Sequence, residues 1–278
     1  MLLKTSFTSL FHHIRAQLLL TPETLLLIIF LGMYYGFGSA PLVAVGLALV
    51  IVVFIARLGA LELARRALAL ERYRDAAALL QVAGWFYPWS ADLLALRGSF
   101  HLAKGSPDLA EPLFRRSLRL YPQQPASLHA LAIALLKQGN TDAAMAAVLQ
   151  ALEQTPNSAY ALLTLAEAEQ AAGLAPTRIE DHLRAGVDAA LTPDEQATLH
   201  SALAAHLFAQ QRSAEGNLAL RNAEALLGQC SRQREAQLRS YLGELLATQG
   251  QLERAHEHLQ RSDTLGMRVR QAATAAHS

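Results

Sequence analysis

The side chains able to do chemistry are scattered along the chain. Two histidine pairs stand out, His12-His13 and His256-x-His258. Neighbours on a helix, and residues two apart, point to different faces, so neither pair has the geometry of a metal chelate. Cys230 is the single cysteine, with only Arg232 and Arg234 nearby to activate it, and reads as a bystander thiol. The sequence holds no Gly-rich phosphate loop, no G-x-S-x-G, no H-E-x-x-H and no C-x-x-C. The expectation is a chain that is not an enzyme and takes no cofactor and no metal. One dense cluster is aromatic: Trp85, Phe86, Tyr87 and Trp89, around Pro88. Trp and Tyr favour the headgroup layer of a bilayer. They also dominate packed contacts, so membrane contact and packing between neighbouring elements are both open readings.

The elements that position these residues divide into two kinds. The chain has 278 residues, of which 52% are hydrophobic and 17% charged. Residues 1–56 hold three charges only, Lys4, Arg15 and Glu23, whereas the remainder carries 22 Lys+Arg and 22 Asp+Glu. A net charge of +1 with no basic stretch argues against nucleic acid as a partner. Apolar residues at three- and four-residue intervals from Leu3 to Leu18 predict an amphipathic helix lying in the membrane surface over residues 1–20.

Residues 24–56 lack charge altogether. The run is broken at Gly36-Phe37-Gly38-Ser39-Ala40-Pro41, which predicts a turn. Two short spans, about 22–36 and 41–56, would form a membrane hairpin over residues 21–56, or a shallow re-entrant one. Lys4 and Arg15 precede the spans, and Arg57, Arg65, Arg66, Arg72 and Arg74 follow them, so both ends are expected in the cytoplasm. From Leu42 to Glu71 only Gly46 and Gly59 interrupt helical sequence, which predicts one long helix running on past the second span.

The soluble part repeats every 34 residues: Gly105, Gly139 and Gly173; Pro88, Pro122 and Pro156; Ala76, Ala110 and Ala144. Such a period signals stacked helical pairs. With units starting at Arg57, Ala91, Pro125 and Ala159, the eighth position reads Ala64, Gly98, Ala132 and Ala166. The twenty-fourth reads Leu80, Phe114 and Val148, and the twenty-seventh Ala83, Ser117 and Ala151. Small residues would allow close helix approach and large apolar ones would fill the core. Glu71 replaces the turn glycine in the first unit. Arg178 occupies a position where alanine is expected, and Pro193 follows Gly173 by 20 residues instead of 17, which reads as about three inserted residues. A degenerate fifth unit is expected over about 194–228, turning near residues 210–212. A sixth, over 231–269, is marked by Gly243, Gly250 and Ala255, and residues 270–278 read as a tail.

This pattern resembles the tetratricopeptide repeat family. The resemblance implies an all-α chain: a transmembrane helical hairpin followed by a right-handed α-solenoid of five to six helix pairs over residues 57–269. In the family, the first helix of each pair lines a concave groove. Carried over by position, that groove would comprise Leu61, Arg65 and Leu68; Asp92, Ala95, Ser99 and Leu102; His129, Ile133, Leu136 and Lys137; and Tyr160, Leu163, Glu167 and Gln170. The Lys and Asn clamp that some members use for a C-terminal carboxylate is missing, so an apolar segment or amphipathic helix of a protein partner is the expected ligand. The layout is similar to bacterial membrane-bound repeat scaffolds. That implies an inner-membrane adaptor with its repeats in the cytoplasm, serving assembly or quality control of a membrane complex. The alternative is an accessory subunit that binds its complex through the hairpin, with the repeats as a spacer.

Overall fold

A computed structural model of the chain describes residues 28, 29, 31–33, 35, 36 and 41–275. The surface helix expected over 1–20, the turn at 37–40 and most of the first span lie outside the described residues. Every regular element among the described residues is helical. The elements are α1 (Pro41–Ala69), α2 (Tyr73–Phe86), α3 (Ala91–Ala103), α4 (Pro107–Leu120), α5 (Pro125–Lys137) and α6 (Thr141–Gln154). They continue as α7 (Ala159–Ala171), α8 (Pro176–Ala189), α9 (Pro193–Ala209), α10 (Ser213–Leu226), a single 3₁₀ turn (Leu227–Gln229), α11 (Arg232–Thr248) and α12 (Leu252–Ala275). Two compact units, Met1–Ala134 and Leu135–Ser278, divide the chain within α5.

In the first unit α1 packs on α2, α2 on α3 and α3 on α4. The expected long helix is present, since α1 runs unbroken for 29 residues. Its two halves differ. Val45, Leu49, Val52 and Ile55 are exposed, whereas Ala60, Leu61, Ala64 and Ala67 are buried with Leu80, Ala83 and Leu93. The repeat positions behave as their sizes dictate. Ala76, Ala110, Leu80 and Phe114 are all buried, and a Cβ on Gly98 would lie 2.7 Å from the Phe114 ring. Ser117, also buried, donates its hydroxyl to the Ala91 carbonyl at 2.7 Å, tying the end of α4 to the start of α3.

The turn between the helices of a pair needs a left-handed residue. Gly105, Gly139, Gly173 and Gly250 supply it, and Glu71 and Gln211 adopt φ of 56° and 60° in its place. A side chain there is strained by about 1 kcal/mol.

In the second unit α6 packs on α7, and the pairs α7–α8, α9–α10 and α11–α12 follow. Pro193 does not signal three inserted residues. It is the first residue of α9, and α3, α5, α7 and α9 begin at 91, 125, 159 and 193, each 34 residues on. Thr192 caps α9, accepting from the Glu195 amide at 3.3 Å while Glu195 accepts from the Thr192 amide at 3.1 Å. The added length comes afterwards, because α9 and α11 each have 17 residues where α3, α5 and α7 have 13. Helix α12 continues to Ala275, into the stretch expected as a tail.

Candidate functional site

In the first unit, the residues carried over as groove lining fall into three states. Leu61 is buried in the core and offers no surface to a partner. Asp92 is engaged: its carboxylate lies 2.9 Å from Arg57, whose side chain is fully buried. The Arg57 guanidinium also sits over the Tyr87 ring, 5.8 Å from its centroid. Such a pair is a structural clasp and is not available as a ligand group. Arg65 is exposed and lies 3.6 Å from Glu62, while Leu68, Ala95, Ser99, Leu102, His129 and Ile133 are half-buried. The Ser99 hydroxyl donates to the carbonyl of Ala95. Of the aromatic cluster, Trp85 is 74% exposed and Trp89 59% exposed. Tyr87 is half-buried against Arg57, and the Phe86 side chain lies outside the described residues.

In the second unit Leu136 is half-buried, Lys137 and Gln170 are exposed, and Leu163 is buried. Helices α7, α9 and α11 make neighbouring contacts. Tyr160 of α7 stacks under Arg234 of α11, 5.8 Å from guanidinium to ring centroid. Glu167 still meets solvent, but the surrounding helices exclude enough water to raise its carboxyl above the usual range, opposed by the charge of Lys137. Burial raises the Tyr241 hydroxyl, and the carboxylates of Glu167 and Glu244 raise it further. On α9, burial holds His200 below the ordinary imidazole value, and its Nδ1 has no hydrogen-bond partner. Tyr160 with Arg234, and Glu167 with Tyr241, thus bring aromatic and charged groups together in this unit.

Arg234, His200 and Tyr241 were beyond the sequence reading, which ended the groove at the fourth unit. Gly243 at the eighth position of the sixth unit would have marked Glu244 at the ninth, in line with Glu167. Other titratable groups serve packing. Glu169, fully buried, pairs with Arg178 at 2.6 Å and His182 at 2.8 Å. His258 bonds Glu224 at 3.0 Å, and His256 lies 2.8 Å from Gln260. Burial and the nearby Asp194 push the Cys230 thiol up to about 11, so it is not a nucleophile at neutral pH. Among the described residues no three His, Cys, Asp or Glu side chains gather as a metal site.

These paired helices, their 34-residue starts and their left-handed turns agree with family sequence profiles for the tetratricopeptide repeat, which match residues 61–125 and 101–174. Residues 61–174 are tetratricopeptide repeats. Similar solved structures include one from a functional characterization of Pseudomonas aeruginosa pilF, at 17% identity and TM-score 0.52, covering 78% of this chain and 91% of that one. MamA (41-end) from Desulfovibrio magneticus RS-1 is 16% identical with a TM-score of 0.50, covering 62% and 94% respectively. The APC/C hetero-tetramer Cut9-Hcn1 is 15% identical with a TM-score of 0.53, covering 73% of the repeat protein and 45% of that chain. At these identities the likeness is one of fold. No curated protein matches the sequence. Among the described residues one helix, Ala44–Ala69, is long and apolar enough to cross a membrane.

Proposed function

We propose that the repeat protein is a membrane-anchored interaction scaffold that holds a protein partner beside the bilayer. The observation that carries this is α1. Its first half presents Val45, Leu49, Val52 and Ile55 to the outside, and its second half is the first helix of the repeats. A helix apolar on its exposed side is unstable in water and stable in lipid. The arginines after the span favour a cytoplasmic location for the repeats, at an inner membrane. The partner is an amphipathic segment. In the first unit Leu68, Leu102 and Ile133 offer apolar contact; in the second, Tyr160, Tyr241, Arg234 and Glu167 offer aromatic and charged contact.

A second reading follows from the same exposure of α1: its apolar face packs on the helices of a membrane complex, and the repeats act as a spacer. Capture from native membranes in mild detergent separates the two. The variants are Leu102→Glu/Ile133→Glu and Tyr160→Ala/Arg234→Ala, each first checked for unchanged helicity by circular dichroism. A partner retained by wild type and lost from a folded variant supports the scaffold. A partner retained by both variants and lost when residues 44–56 are exchanged for an unrelated span supports the accessory subunit.

A further inference from the structure

The buried arginine changes where the water-facing part of α1 begins. Arg57 is the first charge after the apolar run, and by sequence it marks the end of the span. In the fold its side chain has no exposure, because Asp92 and the Tyr87 ring enclose it. The first charge that α1 shows to solvent is Glu62, with Arg65 and Arg66 behind it. Residues 44–61 therefore expose no charge. Those 18 residues are about 27 Å long at ~1.5 Å per residue, close to the ~30 Å hydrocarbon layer. Ending at Ala56 leaves the helix, counted from Pro41, about 6 Å short.

Helix α2 runs antiparallel to α1, and the Arg57–Tyr87 contact fixes its end beside residue 57. Trp85 and Trp89 flank that contact with most of their surface open. Leu58 and Leu63 are exposed on α1 close by. Ser117 brings the last turn of α4, with exposed Arg116 and Arg119, to the same end of the unit. We infer that the base of the first repeat, with Trp85 and Trp89, is immersed in the headgroup layer of the bilayer, and that the Arg57–Asp92–Tyr87 clasp holds it there. The inference rests on the anchored reading. Indole rings fit this layer because the ring is apolar and its N–H needs a polar neighbour. Arginines beside them favour anionic lipid.

Trp85 and Trp89 are the two tryptophans of the chain, so tryptophan emission, excited selectively over the seven tyrosines, reports this site alone. The test uses the full chain reconstituted in phosphatidylcholine–phosphatidylglycerol vesicles, with and without bromine on the acyl chains just below the headgroups. The expected result is co-flotation with vesicles after an alkaline wash, blue-shifted emission, and loss of about half the intensity to brominated lipid. Flotation with unquenched tryptophans overturns the immersion and leaves the anchor standing; the aromatic cluster is then covered by protein. Failure to float overturns both. Single Trp85→Phe and Trp89→Phe variants assign the quenching to one ring or to both.

Discussion

Helices α4 and α8 each close a repeat, each has 14 residues, and each buries three residues at spacings of four and three. In α4 these are Ala110, Phe114 and Ser117; in α8 they are Ile179, Leu183 and Gly186. By the 34-residue count the α8 set should be Arg178, His182 and Ala185, one residue earlier. The turn explains the shift. One residue, Ser106, separates Gly105 from the start of α4, and two, Leu174 and Ala175, separate Gly173 from the start of α8. One added residue rotates a helix by ~100° relative to its sequence. Arg178 and His182 then leave the core line and pair with buried Glu169. The core site is fixed in space, and the turn length decides which residue fills it.

The comparison breaks most severely if the turn is shortened. Deleting Leu174, with one glycine added after Ala190 to keep α9 in place, drives Arg178 and His182 toward the core. The expected loss exceeds about 3 kcal/mol, seen as a lower urea midpoint for the second unit. Adding Arg178→Ala and His182→Leu to the deletion should recover most of it. A deletion without effect would refute the rotation.

A smaller effect tests why the two sets differ in size. Phe114 fits because Gly98 opposes it, whereas Leu183 shares its core with Ala166. Gly98→Ala should cost about 1–3 kcal/mol in thermal or urea denaturation, and Phe114→Leu in the same chain should restore part of it. Additive losses would mean the ring is free to move aside.

Next come the turns themselves. Glu71→Gly should stabilise the first unit by up to about 1 kcal/mol, and Gly105→Ala should destabilise it by about the same amount. Equal midpoints for both variants would remove the left-handed requirement.

The smallest effect is acidic. Bonding to His258, and the charge of Arg254, hold the Glu224 carboxyl below the usual range. Its contribution is full above the ordinary carboxylate pKa of ~4.3 and fades as pH falls through the lower folded value. Glu224→Gln should weaken the α10–α12 contact at neutral pH and flatten the acid limb of a stability–pH curve.

Most of the repeat core was legible because size recurs at a fixed count: Ala76 and Ala110, Leu80 and Phe114 are buried as their positions require. Pro193 misled because proline can follow one helix or open the next. The signature that decides between them, Thr192 with Glu195, stands in the sequence three residues apart. The Arg57–Asp92 pair had no such signal. It joins residues 35 apart, and nothing local distinguishes a buried arginine from a solvated one. Likewise Arg234 meets Tyr160 across two repeats whose helices had lengthened, beyond the reach of a 34-residue count.

The unbroken α1 has a mechanical consequence. It contains no proline after Pro41 and stays helical through Gly46 and Gly59, so whatever grips its first half also sets the compass bearing of the helices packed on its second half. Inserting one alanine between Val53 and Phe54 would lift the first repeats by ~1.5 Å and swing them by ~100° about the helix axis. Two insertions would turn their binding face nearly backwards, and seven would return it close to its original heading.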